Sequence, residues 1–170
     1  GDYTSDLSRL VLELKKEITQ CKECFRFFLP ENTAGKECDI CQNTGRDPGL
    51  LMVVEKDSDL ESVEKSHVYH GRYFVLGGLV PIVEKTTKNR VRVEELKKKL
   101  SGNGKIKEII LAFSLSPQGD HTDSYIREQI KESTEKSDIK MSSLGRGLST
   151  GTELEYSDND TLKNALKNRQ

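Results

Sequence analysis

The residues with the most definite chemistry are four cysteines, arranged as Cys21-x-x-Cys24 and Cys38-x-x-Cys41 with thirteen residues between the pairs and no other cysteine in the chain. Each pair can set two thiolates on one side of a tight turn. Two such turns facing each other close a tetrahedral sulfur cage suited to Zn²⁺. With every thiol used, no coordination position is left for an activated water, so the expected role of the metal is to hold a fold together. Two disulfides or a redox-active dithiol are the rival readings. The first belongs to an oxidising compartment, which the polar opening Gly1-Asp2-Tyr3-Thr4-Ser5, with nothing resembling a secretory leader, does not suggest. The second needs one Cys-x-x-Cys after a strand rather than two in tandem.

Two acids form a second constellation. Glu55 directly follows the apolar run Leu50-Leu51-Met52-Val53-Val54, and Asp120 follows a later run ending near Phe113. If both runs are strands of one sheet, the carboxylates meet at its carboxyl end, where acids can hold Mg²⁺ through a few oxygens and leave the rest to water and phosphate. Acids at strand ends are more often simply solvated, so spacing leaves Mg²⁺ open. The third constellation is basic. Between Lys85 and Lys107 stand nine Lys and Arg residues against two acids, whereas the chain as a whole has a formal net charge of -1. Lys97, Lys98 and Lys99 spread around a helix and read as a solvated face; Lys85, Lys88, Arg90 and Arg92, interleaved with Thr86, Thr87 and Asn89, suit phosphate contacts. Glu153, Glu155, Asp158 and Asp160 reverse the sign near the end of the chain.

Other motifs carry less. Gly77-Gly78 lacks the Lys-Ser or Lys-Thr of a phosphate loop and reads as a tight turn. His67, His70 and His121 have no ligand-like spacing, and no nucleophile motif is present.

The elements that must position these groups follow from periodicity. At 170 residues, with 34% hydrophobic and 32% charged residues, the chain fits a small metal-stapled module joined to a domain of about 120 residues, and no apolar run reaches the ~20 residues of a membrane span. A cytoplasmic protein is the expectation. Leu7, Leu10, Val11, Leu14 and Ile18 recur at helical spacing behind Ser5 or Asp6 and predict an amphipathic, core-facing helix leading into the cysteines. Asp47-Pro48-Gly49 reads as a turn. Strands are expected at 50–54, 73–76, 106–113 and, more weakly, 139–144, with helices near 57–65, 93–100, 122–136 and 159–166. Strand and helix alternate, which predicts an α/β fold with a parallel sheet whose ligands sit beyond the carboxyl ends of its strands.

In order along the chain, the two Cys-x-x-Cys pairs, Arg46-Asp47, Leu51-Met52-Val53-Val54-Glu55, Asp59-Leu60, Gly71-Arg72-Tyr73-Phe74-Val75-Leu76-Gly77-Gly78 and Pro81 resemble the bacterial recombination mediator family RecR. Glu108-Ile109-Ile110-Leu111-Ala112 and the stretch Gly145 to Tyr156, with Asp158, Thr161 and Leu162, resemble its later blocks. The resemblance implies a linking helix over 1–20, a four-cysteine zinc finger over 21–46, a Toprim domain over 47–144 and a C-terminal segment over 145–170. It further implies a non-enzymatic, nucleoid-associated protein that works on single-stranded or gapped DNA with RecO, and in some settings RecF, to help RecA displace single-stranded-DNA-binding protein. Family members assemble as ring-like dimers or tetramers. Glu55 and Asp120 would line the acidic Toprim mouth, which in the family also serves RecO contact.

Three departures qualify that expectation. Of the family's N-terminal helix-hairpin-helix domain, only the trailing helix, near Asp6 to Gln20, is expected in this stretch. Where the family carries Asn-Pro-Thr followed by Glu-Gly-Glu, this chain reads Ser114-Leu115-Ser116-Pro117-Gln118-Gly119-Asp120, so one acid has become Gln118. The loop after Pro81 lacks the family's Asp-Gly. The competing expectation, from a different class, is a Mg²⁺-dependent Toprim enzyme acting on nucleic-acid phosphodiesters; a third is a zinc-stabilised interaction domain that never touches nucleic acid.

Overall fold

The computed structural model describes residues 2–30, 36–83, 91–102, 104–145, 147–148, 151 and 153–167. Helix α1 (Tyr3–Glu17) leads into a short antiparallel hairpin, β1 (Thr19–Gln20) and β2 (Phe27–Phe28), and then into a one-turn helix α2 (Asp39–Gln42). The larger unit follows as β3 (Asp47–Val54), α3 (Asp57–Ser66), β4 (Gly71–Val75), α4 (Val93–Gly102), β5 (Glu108–Ala112), α5 (Pro117–Lys136) and β6 (Lys140–Ser143). A 3-10 turn at Leu154–Tyr156 and helix α6 (Asn159–Lys167) close the chain.

Four strands form one sheet in the order β4-β3-β5-β6, with every neighbouring pair parallel. This is the α/β architecture that the alternation of elements predicts. The central strand β3 is apolar at consecutive positions because both of its faces are buried. Leu51 and Val53 join Phe74, Leu76, Ile109 and Leu111 in a core sealed by Leu96 and Leu100 of α4 and Ile126 and Ile130 of α5. Met52 and Val54 join Tyr73 and Val75 on the opposite face, covered by Leu60 of α3 and by the four cysteines. The cysteine module is thus part of the second core rather than an appendage.

Three local outcomes differ from the sequence expectation. Helix α5 begins at Pro117, five residues before Thr122, because the Ser116 hydroxyl accepts from the Gly119 N–H at 3.1 Å and Pro occupies the first helical position. Gly119 is required there, since a Cβ would overlap the Ser114 carbonyl oxygen. The expected turn at 47–49 is instead the irregular start of β3: Asp47 pairs with Gly71, and its carboxylate accepts from the Gly49 N–H at 2.7 Å before regular pairing begins at Leu51. Helix α1 forms behind Asp2, whose carboxylate accepts from the Thr4 N–H, yet Leu7, Leu10, Val11 and Leu14 of its apolar stripe stay about half exposed rather than facing a core. Gly77 and Gly78 make the tight turn expected of them, with φ of 95° and 149°.

Candidate metal centre and the carboxyl edge of the sheet

The first cysteine pair is presented by the β1–β2 hairpin. Cys21 N–H donates to the Arg26 carbonyl at 2.8 Å and Phe25 N–H to the Cys21 carbonyl at 3.0 Å, which folds residues 21–25 into a tight turn. The turn requires Phe25 to adopt a left-handed conformation, φ 65°. The second pair comes from a helix start: Cys38 is the residue before α2 and Cys41 lies on its single turn. Lys22 N–H donates to the Lys36 carbonyl at 2.9 Å, and two ion pairs close the rim, Lys22–Glu37 at 2.8 Å and Arg26–Asp39 at 3.4 Å.

All four Sγ atoms lie within 4.8 Å of one another, all four residues are buried, and none is in a disulfide. Sulfurs bound at tetrahedral corners of a Zn²⁺ ion stand roughly 3.8 Å apart, given a Zn–S bond of about 2.3 Å. The Cys24–Cys38 separation is 3.5 Å, and Cys38 N–H also donates to Cys21 Sγ at 3.4 Å. The cluster polarises itself: the neighbouring thiols, Cys24 foremost, hold Cys21 well below the ordinary thiol range, while Cys21 foremost pushes Cys41 far above it. Four buried sulfurs this close cannot all ionise without a compensating cation. The donor set therefore fits a soft or borderline divalent metal, and it offers four ligands with none to spare for substrate.

At the other candidate site, Glu55 follows β3 and Asp120 sits on the first turn of α5, directly after β5. Because β3 and β5 are paired in parallel with Val54 opposite Ala112, both acids belong to the carboxyl edge of the sheet. Asp120 is on a helix rather than in the loop expected for it. Among the described residues the only group of three or more potential metal-binding side chains is the cysteine cluster, so no third described acid completes a carboxylate triad with Glu55 and Asp120.

Of the basic residues singled out by sequence, Lys85, Lys88 and Arg90 lie outside the described residues. Arg92 is placed, and its guanidinium turns inward. Its Nη1 donates to the Val75 carbonyl at 3.0 Å, and its Cζ stands 5.4 Å from the centre of the Phe25 ring. Lys99 also reaches the cysteine turn, donating to the carbonyl and carboxylate oxygens of Glu23. Lys97 bridges Glu94 and Gln129, and of the three successive lysines Lys98 is the exposed one. Phe25 and Glu23 were not legible as partners of these cations, because charge spacing along a chain does not reveal which side chain a distant turn will present.

No described helix is long and apolar enough to cross a membrane. Residues 49–144 match the Toprim domain family model, and residues 147–170 match the model for the RecR C-terminal region. Recombination protein RecR of Dehalococcoides mccartyi is 38% identical over 170 residues, 99% of this chain and 78% of that relative. The protein of the same name from Lactobacillus acidophilus is 36% identical over 165 residues, 96% of this chain and 78% of the relative. That of Bacteroides thetaiotaomicron is 37% identical over 159 residues, 94% and 73%. With a parallel Toprim sheet, a buried four-cysteine cluster beside it and this similarity along nearly its whole length, the chain belongs to the RecR family of recombination proteins.

Proposed function

We propose that the chain is a recombination mediator in DNA repair, a scaffold that holds gapped or single-stranded DNA together with RecO, and in some settings RecF, and so promotes RecA loading. The observation that carries this reading is the contrast between its two candidate sites. The sulfur set is complete, buried and closed, whereas the carboxyl edge offers Glu55 and Asp120 without a third described acid to form a metal-holding group. Phosphodiester chemistry in such a fold relies on divalent ions clamping both the attacking and leaving oxygens. In this reading the protein binds without turnover.

In this reading Cys21, Cys24, Cys38 and Cys41 hold a structural Zn²⁺, and the units run as a linking helix over 1–20, a finger over 21–46, a Toprim domain over 47–144 and a C-terminal segment over 145–170. Lys85, Lys88 and Arg90 contact phosphates, and Arg92, the fourth base of that sequence, donates to the Val75 carbonyl. Glu55 and Asp120 face the partner protein, and the working form is a homodimer or tetramer. Co-purification with RecO on gapped DNA, compared between the unaltered chain and Lys88→Ala/Arg90→Ala, tests the assignment. DNA retention should fall while the RecO complex persists; unchanged retention removes Lys88 and Arg90 from the interface.

A Mg²⁺-dependent Toprim enzyme is the second reading, favoured by one observation: Glu55 and Asp120 do follow adjacent paired strands. Turnover of labelled DNA that depends on Glu55 would establish it.

A further inference from the structure

Arg92 connects the cysteine cluster to the carboxyl edge of the sheet through an unbroken set of contacts. Phe25 directly follows the ligand-bearing Cys24 and is held in its left-handed conformation by the hydrogen bond from its N–H to the Cys21 carbonyl. Its ring meets Phe74 edge-on at 5.2 Å and presents its face to the Arg92 guanidinium at 5.4 Å. Arg92 in turn grips two successive residues at the exit of β4, since its side chain donates to the Val75 carbonyl and its backbone N–H donates to the Leu76 carbonyl at 2.9 Å. The next residue, Gly77, donates its N–H to the Glu55 carbonyl at 2.9 Å. Gly77 also lets the guanidinium approach closely, because a Cβ there would lie 2.5 Å from Arg92 Nη1. From the knuckle side, the Cys24 carbonyl accepts from the Val75 N–H at 2.8 Å.

We infer that Arg92 is a positioning residue that couples occupancy of the four-cysteine site to the order of the Leu76–Gly77 turn and hence to the backbone of Glu55. The inference rests on the reading that the four cysteines hold a metal. With the ion bound, the 21–25 turn is fixed, the Phe25 ring stays in place, and the guanidinium has a π face to rest on while it donates to Val75. With the ion removed, the tie that holds the four sulfurs together is lost, the turn loses its shape, and Arg92 loses the π face on which its guanidinium rests. The consequence is that the face assigned to partner contact is formed only in metal-loaded protein. A finger that merely added stability would leave that face ordered as long as the sheet itself stayed folded.

Amide hydrogen exchange measured by NMR on the full chain separates these cases, with metal content measured by elemental analysis on the same samples. In metal-loaded protein the Gly77 and Arg92 amides should be protected. Chelation should accelerate their exchange about tenfold or more while the β5 amides keep their protection. Arg92→Gln should show the accelerated exchange with one ion per chain still bound, and chelation should add little to it. Phe25→Leu, which keeps apolar volume but removes the π face, should fall between the two. Protection at Gly77 and Arg92 unchanged by chelation, or retained in Arg92→Gln, overturns the coupling while leaving the metal site standing. Purified chain without bound metal overturns both.

Discussion

Lys99 Nζ lies 3.0 Å from the Glu23 carbonyl oxygen and 2.9 Å from its carboxylate, so a side chain of α4 grips the turn between Cys21 and Cys24. The lysine side chain is only 14% exposed, but Glu23 is 39% exposed, so solvent screens the ionic part of the contact. Lys99→Met should therefore cost about 1 kcal/mol in urea-induced unfolding. It should leave the metal content of the protein unchanged. A loss of metal in this variant would mean that the clamp forms the site rather than merely holding it against α4.

Arg46 supports the same face of the sheet from its other end. It donates to the Gly71 carbonyl at 3.0 Å and to one carboxylate oxygen of Glu64, whose second oxygen accepts from the Tyr73 hydroxyl at 2.9 Å. Burial, and then this bond to Glu64, push the Tyr73 hydroxyl far above its ordinary range, so it remains a neutral donor. Glu64→Gln leaves a guanidinium that is 11% exposed without its counter-charge. The expected cost is about 2 kcal/mol. The double variant Arg46→Met/Glu64→Gln should recover most of that loss in the same unfolding experiment, because it removes both charges and keeps an amide oxygen to accept from Tyr73.

Acid should weaken the pairing of the edge strand β6. The Ser142 hydroxyl donates to Glu108 at 2.6 Å, and this bond foremost, with Lys140 assisting, holds the carboxylate below the ordinary glutamate value of 4.5. A depressed folded-state value contributes stability above pH 4.5 that is lost as pH falls through the lower folded value. Melting temperatures measured from pH 6 down to about pH 3 should therefore fall less steeply for Ser142→Ala than for the unaltered chain. Parallel curves for the two proteins would remove this hydrogen bond from the acid response.

Much of this arrangement was legible in the residues because it depends on short-range chemistry. The Leu50–Val54 run reads as a doubly buried strand since only a central parallel strand tolerates apolar side chains on both faces, and the cysteine spacing specifies a cage whatever surrounds it. The start of α5 was readable in principle, as Ser116 followed by Pro117 is a helix-entry signal, but Gly119 and the neighbouring serines resemble a loop. The destination of Arg92 and Lys99 was not readable. Both sit in the most basic stretch of the chain, where Arg92 reads as a phosphate contact and Lys99 as part of a solvated face, yet each side chain reaches a turn about seventy residues earlier in sequence. The apolar stripe of α1 was visible, whereas its exposure depends on what lies beside it in space and leaves no trace in its periodicity.

The most direct test of a metal-held scaffold that binds without reacting is to incubate metal-loaded protein with labelled gapped DNA in the presence of Mg²⁺ or Mn²⁺, following bound fraction and strand length together. The predicted result is DNA that is bound, with affinity falling as salt rises by a log-log slope of about 0.9 per phosphate neutralised, and strands that stay intact. Glu55→Gln should leave both readings unchanged. Strand cleavage or joining that disappears in Glu55→Gln would contradict it.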